Sequence, residues 1–149
     1  MERAEKTLIV GSDDVGDFFL DELLAHHLNA RTSVLDVRNT VDRGLGYARV
    51  AAAVAQVVAE GRGWRGLLVC GTGIGVSIAA NRVPGANAAI CHDLYSVRRS
   101  ILSNNCKIIC FGSRVIAIEH AVLLLDEWLA TEFDPKSRSA LKVAEIDSP

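Results

Sequence analysis

Short continuous apolar runs alternate along the chain with longer stretches whose apolar residues recur every three or four positions. The first run, 8–11, ends in glycine and is followed by Phe18, Phe19, Leu20, Leu23, Leu24 and Leu28, a helical spacing. The pattern then predicts strands over 33–37, 66–70, 86–91 and 107–111. Helices are predicted over 47–60, 76–82, 94–102 and 116–131. Phe133-Asp134-Pro135 breaks the last of these, and 137–146 reads as a polar terminal helix. The run at 66–70 has no polar interruption, as expected of a parallel strand covered on both faces. Strict strand–helix alternation predicts an α/β fold: a doubly wound, Rossmann-like three-layer sandwich around a five-stranded parallel sheet. No linker or repeat divides the chain, so 1–149 is expected to be one domain, with 136–149 as its helical extension.

In such sheets ligands bind beyond the carboxyl ends of the strands. The unusual residues fall there: Ser12-Asp13-Asp14, Cys70 to Ser77, Cys91-His92-Asp93 and Gly112-Ser113-Arg114. The richest segment is Cys70-Gly71-Thr72-Gly73-Ile74-Gly75-Val76-Ser77. Glycines at 71, 73 and 75 let the backbone approach a ligand, and the helix that follows aims its N–H groups at an anion. The spacing matches neither the dinucleotide-binding nor the Walker A pattern, and a ligand-free strand-to-helix turn is the alternative. A cysteine beside such N–H groups can act as base or nucleophile in its thiolate form, or be a core residue at a strand end. Asp13 and Asp14 can hold hydroxyls or relay protons, and one of them is expected to cap the helix beginning near Gly16. His92 is either a site residue or a structural one. Arg138 and Lys142, four apart on the predicted terminal helix, would share one face and with Arg114 could clamp a phosphate; a solvated basic face is the alternative.

Composition narrows the function classes. Apolar residues make up 50% of the chain but aromatics only 5%, and the formal net charge is −2. Duplex nucleic-acid binders carry a basic surplus, and single-strand binders carry stacking platforms; neither is evident. No apolar run is long enough to span a membrane, and the first residues carry no leader pattern. The four cysteines show no CxxC spacing, and Cys106 and Cys110 have no histidine at zinc-finger distance, so reduced thiols in the cytoplasm are expected.

Taken together these residues resemble the ribose-5-phosphate isomerase B family, which includes the galactose-6-phosphate isomerase subunits. The most specific stretch is Cys-Gly-Thr-Gly-Ile-Gly-Val-Ser-Ile-Ala-Ala-Asn at 70–81. Gly11-Ser12-Asp13, Tyr95-Ser96, Asn104, Phe111-Gly112-Ser113-Arg114-Val115-Ile116 and Trp128-Leu129 support it. The resemblance implies aldose–ketose isomerisation of a small phosphosugar through a cis-enediolate, with no metal or cofactor. It also implies a homodimer, or a tetramer of two paired dimers, with shared active sites. Cys70 would be the base, Thr72 would orient it, and Gly71 to Gly75 (with Gly73 between them) would receive the oxyanion. Asp13 would hold substrate hydroxyls, Asn104 and Arg114 would reach in from the partner subunit, and Arg138 and Lys142 would hold the phosphate. Ser77, Asp14, His92 and Ser103 complete the expected binding set.

The chain departs from the family pattern at three places. Asp14 stands where the family has His, Ser103 stands where it has the presumed ring-opening His, and Gly44-Leu45-Gly46-Tyr47-Ala48 lacks the first Tyr of a Tyr-Pro-x-Tyr-Ala segment. A pentose 5-phosphate rests as a furanose and must be opened. A tetrose 4-phosphate has no free O4 and cannot close. The sugar is therefore of the ribose 5-phosphate/ribulose 5-phosphate type, with His92 substituting for the missing group, or it is the four-carbon erythrulose 4-phosphate/erythrose 4-phosphate pair. A non-catalytic phosphosugar-binding subunit is the other class, against which the intact Cys70 and glycine loop argue.

Overall fold

The uninterrupted apolar run becomes the centre of the sheet. In the computed structural model, which describes residues 6–28 and 31–148, β3 (Arg65–Cys70) is buried along its whole length. It pairs in parallel with β1 (Thr7–Ser12) on one side and β5 (Ile108–Gly112) on the other. β2 (Ser33–Asp36) and β4 (Ala88–Ile90) form the edges, and the strand order is β2-β1-β3-β5-β4. Residues 1–5, where the absence of a leader was read, and Pro149 lie outside the described residues.

Alternation along the strands sorts the core into two layers. Leu8, Val10, Leu67, Val69, Ile109 and Phe111 face helices α1 (Asp17–Leu23), α4 (Leu94–Leu102) and α5 (Ile118–Ala130). Ile9, Leu68, Cys70, Ile108 and Cys110 face α2 (Ala48–Ala59) and α3 (Ile74–Asn81). The α/β three-layer sandwich expected from the pattern is the fold observed. The chain leaves β1 for β2 in one direction and returns to β3 on the other side of β1, so the switch point lies between the carboxyl ends of β1 and β3.

Most predicted elements shift by one or two residues, and three differ more. The first helix was expected to run on to Leu28, but regular α-helix stops at Leu23 and Leu24–Leu28 winds as a π-helical turn. β4 is shorter than the predicted 86–91. The terminal helix, α6 (Ala140–Asp147), starts later than expected, because Asp134 closes a turn by accepting from Lys136 N–H at 2.8 Å and Ser137 N–H at 3.0 Å. Arg138 therefore sits in that turn, and the expectation that it shares a helix face with Lys142 is not met. Arg65, buried at the start of β3, closes the opposite end of the molecule by donating to the carbonyls of Trp128 and Thr131 at the end of α5.

Candidate active site

β1 and β3 end side by side, which brings Asp13 against the start of the glycine loop. The ladder carries one step past β1, with Asp13 N–H donating to Val69 O at 3.3 Å. The Asp13 carboxylate then accepts the Gly16 N–H at 2.9 Å and closes the turn ahead of α1. Asp13 thus closes the turn before α1, whose N-cap is Gly16 with no side-chain cap, and Asp14 is left exposed. Burial pushes the Asp13 carboxyl above the usual carboxylate range; the Gly16 N–H opposes this, and the charges of Asp14 and Asp17 add to it.

Cys70, buried at the end of β3, faces the loop it begins. Its Sγ accepts the Gly73 N–H at 3.1 Å, and Thr72 Oγ1 accepts the Ile74 N–H at 3.2 Å. Gly73 has φ +80°, and this left-handed residue turns the chain from strand into α3. The N–H groups of Gly71, Thr72 and Gly75 donate to no described residue, as expected of the first turn of a helix. A thiol and a set of backbone donors with no described acceptor therefore lie within one loop. Ser77 lies a turn further on, half-buried. The other three cysteines are buried free thiols. Burial raises all three, Cys106 to about 12.

The segment after β5 closes the other wall. Ser113 N–H donates to Cys70 O at 2.8 Å and Arg114 N–H to Gly71 O at 3.0 Å. Arg114 was expected to reach in from a partner, but its side chain runs beside Gly71 of its own chain. His92 does not point a free nitrogen pair at the loop: its Nε2 accepts the Gly112 N–H at 2.9 Å.

A third wall was not foreseen in its details. Arg43 donates through Nη1 to both Asp17 carboxylate oxygens, at 2.7 and 2.9 Å, and to Ser12 O at 3.2 Å. Ser12 Oγ donates to the same carboxylate at 2.7 Å. Burial opposes ionisation of Asp17, but the hydrogen bonds from Arg43, Ser12 and Arg38 hold it below the usual range. Arg43 so pins the 43–47 loop to the end of β1, where Asp14, Arg43, Gly44, Leu45 and Gly46 line a cavity of about 270 Å³. A neighbouring cavity of about 360 Å³ includes Arg43 and Tyr47. The Tyr47 ring lies over Gly75, where a Cβ would sit 2.6 Å from Cζ. The signal for Arg43 in the sequence was the density of acids at Asp13, Asp14 and Asp17, which requires a cation nearby.

Four expected residues do not join this cluster within the chain. Ser103 and Asn104 end α4, which delivers the chain to the amino end of β5. Ser103 Oγ accepts from Arg99 Nε at 2.8 Å. α6 lies near the amino end of β4, where Asn87 donates to Asp147 at 3.2 Å, so Lys142 and the preceding Arg138 also belong to the end of the sheet away from Cys70. Among the described residues no group of three or more His, Cys, Asp or Glu side chains could hold a metal ion, and no helix is long and apolar enough to cross a membrane.

Comparisons with known proteins show the family and the fold. Residues 8–146 match the family model described as Ribose/Galactose Isomerase. The D-erythrulose-4-phosphate isomerase 2 of Mycolicibacterium smegmatis is 47% identical over 143 residues, covering 93% of each chain. The ribose-5-phosphate isomerase B of Escherichia coli is 36% identical over 129 residues, covering 87% of each. Among solved structures, the ribose-5-phosphate isomerase B of Clostridium thermocellum superposes with a TM-score of 0.86 at 34% identity, covering 95% of both chains.

Proposed function

The chain belongs to the ribose/galactose isomerase family and is a sugar-phosphate isomerase; on that premise we propose that Cys70 is the base that moves a proton between adjacent carbons of a small phosphosugar, in a reaction of the ribose 5-phosphate/ribulose 5-phosphate type. The observation that carries this reading is the Cys70 sulfur held by the Gly73 N–H at 3.1 Å, in a loop where the N–H groups of Gly71, Thr72 and Gly75 donate to no described residue.

The thiolate takes the proton from the carbon beside the carbonyl. The electron pair moves onto the carbonyl oxygen and a cis-enediolate forms. The N–H groups of Gly71, Thr72 and Gly75 receive the developing oxyanion, each such donor being worth about 3 kcal/mol in a water-poor site. Asp13, whose pKa is raised, holds the substrate hydroxyls and passes the hydroxyl proton from one oxygen to the other. The thiol then returns its proton to the neighbouring carbon, and aldose has become ketose with no atom gained or lost.

The phosphate needs cations, and Arg138 and Lys142 of the same chain lie at the wrong end of the sheet. Two copies arranged so that one chain's amino end covers the other's Cys70 would supply these two cations and Asn104. The site is thus proposed to be shared in a homodimer or a tetramer of two such dimers. The four buried free thiols suit a reducing, cytoplasmic setting.

A second reading of the sugar is favoured by a specific observation. Ser103 is clamped by Arg99, and His92 spends its Nε2 lone pair on Gly112. Neither residue is thereby placed as the acid that opens a furanose. A four-carbon 4-phosphate needs none, and the M. smegmatis relative is named for such a substrate. The test is kcat/KM for ribose 5-phosphate against erythrulose 4-phosphate with one enzyme preparation. A preference for the tetrose supports the four-carbon reading, and a clear preference for the pentose refutes it. Turnover of neither by an otherwise folded enzyme would refute the isomerase assignment of the site.

A further inference from the structure

The sheet stops short at one edge, and a side chain completes it. β4 pairs with β5 in the register Ala88↔Ile108, Ala89↔Ile109 and Ile90↔Cys110, then ends. Continued by two residues, that register would set position 92 opposite Gly112. The Gly112 N–H, which a longer β4 would have met with a backbone carbonyl, is met by His92 Nε2 at 2.9 Å. We infer that His92 is a positioning residue for the isomerising loop, acting through Gly112 as a hydrogen-bond acceptor that must stay unprotonated.

The chain of contacts from His92 to Cys70 is short. Gly112 is buried with no room to spare, since a Cβ on it would lie 2.7 Å from the carbonyl carbon and oxygen of Thr72. A Cβ on Gly73 would meet the Phe111 carbonyl carbon at 3.2 Å and Gly112 N at 3.3 Å. The next two residues, Ser113 and Arg114, bond the carbonyls of Cys70 and Gly71. Gly112 is therefore the fixed point against which the glycine loop packs, and His92 holds that point from the far side. The imidazole is itself held by stacking on Phe111, with ring centroids 6.2 Å apart.

The backbone N–H can only donate, so Nε2 carries the lone pair and the ring proton resides on Nδ1. Protonation would put two donors face to face and release Gly112. Burial, and then the positive field of His120 on α5, hold His92 below the usual histidine range, while Asp93 beside it pulls the other way. The neutral acceptor thus persists at neutral pH, and the anchor is lost as pH falls through a pKa below about 6.5. The expected consequence is an acid limb on kcat from loss of loop geometry, with KM nearly constant.

This inference rests on reading the Cys70 loop as the isomerising site, and the experiment separates the two. His92→Gln keeps an acceptor near the Nε2 position but cannot titrate; His92→Phe keeps a ring on Phe111 but removes the acceptor. Wild type, both variants and Cys70→Ala would be compared for kcat and KM across pH 5–8, with the Gly112 amide followed by ¹H–¹⁵N NMR over the same range. The expected result is a Gly112 amide that titrates with His92 in wild type and stays constant in the Gln variant. The Gln variant should also retain most of kcat at pH 7.5 and lose the acid limb, and the Phe variant should lose about ten- to a hundredfold in kcat. A Gln variant with the wild-type acid limb and a titrating Gly112 amide would overturn the inference, as would a folded Phe variant with wild-type kcat. If instead Cys70→Ala turned over normally, the site reading would fail, while the amide titration would still report whether His92 anchors Gly112.

Discussion

Gly73 bears a strain that only glycine escapes, which gives a prediction with a built-in control. At φ +80° an alanine pays about 1–2 kcal/mol for the left-handed backbone. Its Cβ would also crowd Phe111 and Gly112 at 3.2–3.3 Å, tighter than ordinary van der Waals contact. Gly61 has the similar φ of +72°, but a Cβ there meets nothing within 4 Å, and it lies beyond α2, away from the Cys70 loop. Both Gly73→Ala and Gly61→Ala should therefore lower Tm, by roughly 2–8 °C for a chain of this size, with Gly73→Ala at the upper end. Activity should separate them. The Gly73 N–H is the donor that holds the Cys70 sulfur, so Gly73→Ala should lose tenfold or more in kcat, while Gly61→Ala keeps the wild-type value per folded molecule. Differential scanning fluorimetry and a coupled or NMR isomerase assay on the two variants decide it. Wild-type kcat in Gly73→Ala, or equal losses of kcat in both variants, would refute the claim that this backbone position aligns the base.

The site makes two further predictions. Asp17 has its folded pKa depressed, so the stability it contributes is present above the unfolded value of about 3.9 and is lost as pH falls through the folded pKa. Arg43→Met, which removes the Nη1 bonds to Asp17 and Ser12, should shrink that acid-dependent loss between roughly pH 4 and 2, measured by urea unfolding at stepped pH; an unchanged pH dependence would exclude Arg43 as the cause. Ser103→His should restore an acid at the proposed shared site. It should raise turnover of ribose 5-phosphate by about tenfold or more, and leave that of erythrulose 4-phosphate within twofold; equal effects on both sugars would remove ring opening from the account.

What the sequence makes legible follows from which forces are local. The buried strands show as unbroken apolar runs because both faces of the sheet are covered, and the helix at Leu94–Leu102 was read with its observed bounds. Its start is written locally, in Asp93, whose carboxylate accepts the Ser96 N–H at 2.8 Å. The glycine loop, with Cys70 at its head, could be read for the same reason: its function lies in backbone freedom at fixed spacing. The rest depends on tertiary partners. Nothing in 24–28 marks a π-helical turn, and the turn before α6 separates Arg138 from Lys142 through bonds made by Asp134. Arg43 bridges Ser12 on β1 and Asp17 on α1, both distant from it in sequence. His92 could be read only as a histidine at a strand end, because its partner is the backbone of another strand. Residues such as Asn104 and Lys142 could be recognised by resemblance, but their separation from Cys70 emerged only from the order of strands.

The central claim is that the Cys70 sulfur carries the proton. It is tested most directly by deuterium exchange into substrate carbon. Wild type and Cys70→Ala would be incubated in D₂O with the sugar phosphate that wild type turns over, and label at the carbons beside the carbonyl would be read by NMR, with binding followed by calorimetry. The account predicts exchange with wild type and none with Cys70→Ala, at an affinity within a few-fold of wild type. Exchange by Cys70→Ala at the wild-type rate would contradict it.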